Sequence, residues 1–200
     1  MATAIRLIAT GAFGDSVVTK LREVLPDTEA LAPNDLSRAF MGNPSLVVLA
    51  LWRPSPGLCQ RADRLAAEYA VPWLPVILEH PVLRIGPYVH PGQGPCFDCY
   101  QSRRRQHDEH HRTTAALYDA YDAAEEVGPG GHLPHHARLA AATAVLHIRA
   151  DNPNTVTTVR LSSAHIATHR VVACHGCGRC GPSISDPCTS AEFTALSVKR

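Results

Sequence analysis

Three short apolar runs mark the first 80 residues: AIRLIAT (Ala4–Thr10), SLVVLAL (Ser45–Leu51) and PWLPVIL (Pro72–Leu78). Unbroken apolar runs of this length predict strands covered on both faces. Between them the spacing changes. GDSVVTKLREVL (Gly14–Leu25) sets Val17, Val18, Leu21, Val24 and Leu25 at helical intervals, and LCQRADRLAAEYA (Leu58–Ala70) reads as a second amphipathic helix. Strand, helix, strand, helix, strand predicts a parallel sheet with right-handed crossovers, so residues 1–80 are expected to form a Rossmann-like α/β half.

After Leu78 the pattern loses its regularity. PCFDCYQSRRRQHDEHHRTT is polar and basic, TTAALYDAYDAAEEV (Thr113–Val127) fits a helix, and GPGG (Gly128–Gly131) breaks the chain. LPHHARLAAATAVLHIRA (Leu133–Ala150) predicts a long helix with Pro134 in its first turn, where the missing N–H costs nothing. TVTTVRLSSAHIATHRVVA (Thr155–Ala173) alternates as two strands about Ser162 and Ser163, an antiparallel hairpin that feeds directly into CHGCGRCG. The expected organisation is one domain over 1–188, its second half 81–188, with a tail at 189–200.

Composition narrows the function classes. Hydrophobic content of 45% and charged content of 18% suit a globular chain with a real core. A net charge of +1 and eleven aromatic side chains argue against a nucleic-acid-binding module or a membrane-surface protein. Neither a signal peptide nor a membrane-length apolar run is present, so the expected location is cytoplasmic. In that compartment seven cysteines read as reduced ligands before disulfides.

Cys96 and Cys99 form one C-x-x-C, and Cys174 and Cys177 a second, too far apart for a zinc finger. Two such pairs joined through a folded domain can still give four thiolates to one tetrahedral zinc, which closes its coordination sphere and makes it structural. Gly176 and Gly178 flank Cys177 and free the backbone for a knuckle, while Cys180 is a spare that can replace Cys177. A redox pair and unconnected thiols are the competing readings, disfavoured because Cys96 follows a Pro/Gly turn. Cys59 reads as a small hydrophobe on its helix. His107, His110, His111, His135 and His136 show no H-E-x-x-H spacing and are expected on solvated faces.

TGAFGDS sits between strand and helix, where a nucleotide-binding turn belongs. Relative to the G-x-G-x-x-G fingerprint it offers Gly11, Phe13 and Ser16, with Gly14 displaced from any required position. Asp15 adds a carboxylate where a phosphate would sit. Gly11 and Gly14 therefore mark a degenerate turn.

The order of parts resembles the ThiF/MoeB, ubiquitin-activating-like superfamily, in which two cysteine pairs hold one structural zinc. IGPYVHPGQGPCFDCYQSRRRQHD is most similar to its cyclodehydratase-partner (ocin-ThiF-like) branch of thiazole/oxazole-modified peptide biosynthesis. The matching positions are Gly86-Pro87, Pro91-Gly92, Pro95-Cys96, Cys99, Arg104 and Asp108, with VPWLPVILEH before them and ACHGCG near the end. The resemblance implies a Rossmann-like ThiF-type fold with a C-terminal helix, a β-hairpin and a four-cysteine zinc knuckle.

It also implies a non-catalytic accessory protein. Such a protein would present a precursor (leader) peptide to a YcaO-type cyclodehydratase or another tailoring enzyme, or activate that enzyme, and homodimers are common in the superfamily. Adenylating members carry GAGGLG where this chain has GAFGDS, and an aspartate about where Trp52 falls, so their ATP chemistry is not carried over. An adenylyltransferase that activates a peptide carboxyl terminus is the alternative. The winged-helix leader-recognition module of many such partners does not precede the first strand here, so leader binding is expected elsewhere or in a different manner. Arg103, Arg104 and Arg105 are candidates for contacting an acidic leader or partner. Equally, Arg104 is a candidate to tie the cysteine loop to Asp108 or a sheet carbonyl.

Overall fold

The computed structural model describes residues 4–163 and 165–180. The expected tail at 189–200 lies outside the described residues. Strand β1 (Ile5–Thr10) runs without a connecting loop into helix α1 (Gly11–Val24). It lies between β2 (Thr28–Leu31) and β3 (Leu46–Leu51), and β4 (Trp73–Leu78) follows β3, all parallel. A short 3-10 turn (Pro33–Asp35) and helix α2 (Leu36–Phe40) bridge β2 to β3, and helix α3 (Pro56–Tyr69) bridges β3 to β4.

The sheet then changes direction. β5 (Val82–Ile85) turns back antiparallel beside β4, and the hairpin β6 (Thr155–Arg160) and β7 (His165–Arg170) extends it to seven strands in the order β2-β1-β3-β4-β5-β6-β7. Helices α4 (Phe97–Gln106), α5 (His111–Ala123) and α6 (Pro134–Ala150) fill the long excursion between β5 and β6.

Every residue of β3 and β4 is buried, as their unbroken apolar runs require. On one face, Phe13, Val17 and Leu21 of α1 meet Ala137, Ala140, Ala141 and Ala144 of α6, whose small side chains let the helices close on each other and on the sheet. On the other, Phe40, Cys59, Ala62, Trp73, Phe97 and Tyr100 form the second core layer. Cys59 is buried there and its thiol is pushed up to about 12 by burial, in keeping with a packing role. Buried His147 fastens α6 to the hairpin, with Nε2 2.8 Å from Thr157 Oγ1 and Nδ1 3.2 Å from Thr155 Oγ1.

The strands and helices expected from the apolar pattern are present, including the hairpin that turns at Ser162 and Ser163. The pattern misses β2, α2, β5 and α4. His136 departs from the expected solvated face: it is buried, and its Nδ1 accepts the Leu133 N–H at 3.3 Å. Among the described residues no helix is long and apolar enough to cross a membrane.

Candidate functional site

Pro95 ends an irregular segment, and Cys96 caps helix α4, so the first C-x-x-C spans its opening turn with Cys99 in the buried face. The chain returns from β7 to place Cys177 and Cys180 against that turn. The ligand atoms of Cys96, Cys99, Cys177 and Cys180 all lie within 4.8 Å of one another, a cluster that can hold a metal ion. Neighbouring sulfurs are 3.8 Å apart for Cys96–Cys99, 3.7 Å for Cys96–Cys177, 3.7 Å for Cys177–Cys180 and 3.4 Å for Cys99–Cys180.

Three of the four expected cysteines thus meet, and Cys180 occupies the corner expected for Cys174. The reason is the path of the chain: Cys174 arrives one step early, where its backbone N–H donates to Cys99 Sγ at 3.2 Å and its thiol faces the Cys99 carbonyl at 3.7 Å. The Cys96 N–H donates to Cys180 Sγ at 3.0 Å. Backbone N–H groups of Arg179 and Cys180 hold the Cys177 thiol down at about 6, whereas burial pushes Cys96 and Cys180 up. Amide donors aimed at sulfur favour thiolate, the form that binds metal.

One arginine locks this corner to the core. Arg179 pairs with Asp63 of α3 and, at 2.7 Å, with Asp98 of α4. Asp63 is 3% exposed and also accepts Trp73 Nε1–H and the Phe97 N–H, each at 3.3 Å. Burial raises its pKa, offset in part by Arg179 and these two donors. Asp63, Cys96 and Asp98 form a second close group, but the cation between the two carboxylates is the chain's own guanidinium.

The three arginines after Cys99 take separate partners. Arg103 Nη2 donates to the Ala173 carbonyl at 3.0 Å, pinning the strand that enters the cysteine knuckle. Arg104 Nη1 pairs with Glu79 Oε1 at 2.8 Å, and Arg84 Nε meets the same oxygen at 2.7 Å. Arg104 thus reaches the end of β4 and not Asp108, whose Oδ1 accepts the His110 N–H at 2.9 Å. Glu79 is buried, which alone would raise its pKa, yet the two guanidinium charges hold it at about 2. Arg105 touches only Ser102 Oγ, at 3.4 Å, among the described contacts.

The turn after β1 is flanked by the chain's own Trp52. Gly11 has φ +63°, and a Cβ there would lie 2.6 Å from Trp52 Cδ1; at Gly14 a Cβ would lie 2.3 Å from the Ala50 carbonyl oxygen. The Trp52 indole therefore packs against one side of this turn, whose Gly11 and Ala12 remain exposed, and Gly128 of the α5–α6 connection lies over its far ring. Buried Arg53 fixes that connection, with Nη2 donating to the carbonyls of Tyr121 at 2.8 Å, Ala124 at 3.1 Å and Glu125 at 3.3 Å. Its guanidinium stacks 5.2 Å from the Trp52 ring and 4.8 Å from Tyr121. His132 adds to this packing, edge-on to Phe13 at 5.4 Å with Nε2 3.2 Å from Ser16 Oγ. Asp15 matters less than its sequence position suggests: α1 begins at Gly11, which puts Asp15 in the second turn, exposed.

No protein-family model matches the chain, and no curated protein matches it. Among solved structures it is similar to a heterocyclase in complex with substrate and cofactor, at 17% identity and TM-score 0.62 over 90% of this chain and 25% of that one. It is similar to the heterocyclase TruD at 15% identity and TM-score 0.63, over 97% of this chain and 32% of that one. A third is the E. coli microcin synthetase McbBCD complex, at 13% identity and TM-score 0.61 over 88% of this chain and 67% of that one. The chain spans about a quarter to a third of the two heterocyclases' length. Identities this low establish a shared fold: the α/β architecture around the cysteine corner is one found in heterocyclases and a microcin synthetase.

Proposed function

We propose that this chain is a zinc-stabilised, non-catalytic accessory protein of the ThiF-like kind in ribosomal peptide natural-product biosynthesis. In this reading it presents a precursor peptide to a YcaO-type cyclodehydratase or another tailoring enzyme, or activates that enzyme. The carrying observation is the Trp52 indole packed beside Gly11, in a fold shared with peptide-modifying proteins and at a turn that lacks the glycine-rich nucleotide fingerprint. A protein built this way can scaffold and position, while ATP chemistry belongs to its partner.

The donor set fits zinc. Tetrahedral zinc with Zn–S bonds of about 2.3 Å sets its sulfurs about 3.8 Å apart. Four of the six sulfur–sulfur edges among Cys96, Cys99, Cys177 and Cys180 measure 3.4–3.8 Å, close to that value, and all six are within 4.8 Å. A bound zinc would contribute a four-thiolate cross-link between the start of α4 and the end of the chain's described course, with no open position for catalysis.

Isothermal titration with ATP and AMP up to about millimolar concentration is expected to give no binding heat, where micromolar binding would correspond to about 8 kcal/mol of free energy. Affinity in the micromolar range would overturn the accessory reading in favour of an adenylyltransferase. Co-purification with a peptide-tailoring enzyme encoded beside this chain is the expected partner result; its failure with every such neighbour defeats the biosynthetic assignment.

A further inference from the structure

The outer three strands are covered on one face only. Leu83, Ile85 and Val159 point into the core beneath α6. The opposite face of β5–β6–β7, overhung by α4, lines an open groove of about 1150 Å³. β7 forms the rim: five of its six residues are exposed, and among the described residues no strand pairs with its outer edge. Val171 N–H donates to the Asn154 carbonyl at 2.7 Å, and the register then turns the N–H and C=O groups of Ile166, Thr168 and Arg170 away from β6.

The groove is strongly one-signed in a chain whose net charge is only +1. Arg103, Arg160, Arg170, His107, His165 and His169 line it. Glu79 is the one carboxylate in the lining among the described residues, and Arg84 and Arg104 share it, leaving an uncompensated guanidinium at the floor. Arg103 Nε is buried with no hydrogen-bond partner. Between the cations the floor is apolar at Val156, Ala167 and Val171.

We propose that this groove binds an extended acidic peptide segment, which pairs with the free edge of β7 as an added strand and turns its carboxylates toward Arg103 and Arg160. Backbone pairing with the rim supplies sequence-tolerant affinity, as in other strand additions, and the arginines select for acid. The alternation of β7 places every second peptide side chain over the groove, so a peptide alternating acidic and apolar residues fits best. This rests on the peptide-handling reading above and adds the surface and the chemistry of what is handled.

The test uses the full chain and a fluorescein-labelled peptide of about eight residues, long enough to pair along β7, alternating Glu and Val. Fluorescence anisotropy is expected to show binding that weakens steeply between about 50 and 500 mM salt. Replacing every Glu by Lys is expected to abolish binding, and methylating alternate peptide nitrogens to weaken it at least tenfold. Arg160→Glu, at an exposed position on the groove face, is expected to weaken it about tenfold with unchanged circular dichroism, and Arg170→Glu, whose position pairs with Thr155 on the α6 face, to weaken it less. Equal binding of the Glu and Lys peptides, indifference to the arginine reversals, or indifference to N-methylation would overturn the proposal. So would a dimer that Thr168→Pro dissolves and the peptide cannot, because a second copy would then hold the edge. The outcomes separate from the partner experiment: a tailoring enzyme that co-purifies while the peptide fails removes the groove alone. Peptide binding without any such enzyme removes the biosynthetic reading alone.

Discussion

At the scale of single residues, the second cysteine motif shows how far spacing carries. CHGC and CGRC both have two residues between cysteines, so the sequence alone does not choose between Cys174 and Cys180 as the fourth corner. The choice is made by where β7 releases the chain, a matter of three-dimensional path. The consequence is testable by metal analysis: Cys180→Ser is expected to drop zinc from one per chain to well below half. Its melting temperature should fall by roughly 10 °C, the shift that about 3 kcal/mol produces in a chain of this size. Cys174→Ala, which keeps its backbone N–H to Cys99 Sγ, should retain full zinc. Glu79 is equally invisible, since its partners Arg84 and Arg104 lie five and twenty-five positions away and nothing local joins them. Its carboxyl titrates at about 2 in the fold against an ordinary value of 4.5, so its contribution is complete above about pH 4.5 and disappears as pH falls toward 2. Urea unfolding followed from pH 6 to 2.5 should show that loss, and Glu79→Gln should remove the slope while costing about 3–5 kcal/mol at neutral pH by stranding two guanidinium groups.

At the scale of elements, the legible parts are those whose burial is uniform or periodic. β3 and β4 bury every side chain and announce themselves as apolar runs, and the alanine-rich stripe of α6 is set by its contact with α1. Helix α4 hides because its buried face is only Phe97, Cys99 and Tyr100, and the rest is polar and cationic. β5 hides because it is only four residues long, VLRI, with a charged Arg84 among them, kept there by Glu79 and by the Tyr100 ring 5.2 Å away. Helix α5 is anchored from a distance by Arg53, whose guanidinium bonds the carbonyls at and just beyond its C-terminus, and by Asp122, which accepts the Gly57 N–H. Arg53→Met is expected to leave the sheet intact but to speed amide exchange across residues 111–133 by at least tenfold, measured by hydrogen–deuterium exchange and mass spectrometry.

At the scale of the whole molecule, one end of the sheet and the other do different work. The parallel half carries the turn after β1, against which Trp52 packs with Arg53 stacked on its ring. The antiparallel half carries the cysteine corner and the cationic groove, side by side on α4 and β7. Since Arg103 ties the segment after β7 to α4, removing metal with a tight chelator is expected to loosen both, lowering stability and weakening the acidic peptide together. A chelated protein that binds the peptide with unchanged affinity would show the two to be independent. The separation of the two cysteine pairs has a final consequence for how the protein comes into being. Cys96 and Cys99 leave the ribosome long before Cys177 and Cys180, with α5, α6 and the hairpin still to be made. A four-sulfur clasp cannot shut until α5, α6 and the hairpin have all emerged, so any metal capture follows their synthesis, and chains truncated before Cys177 lack two of the four thiols.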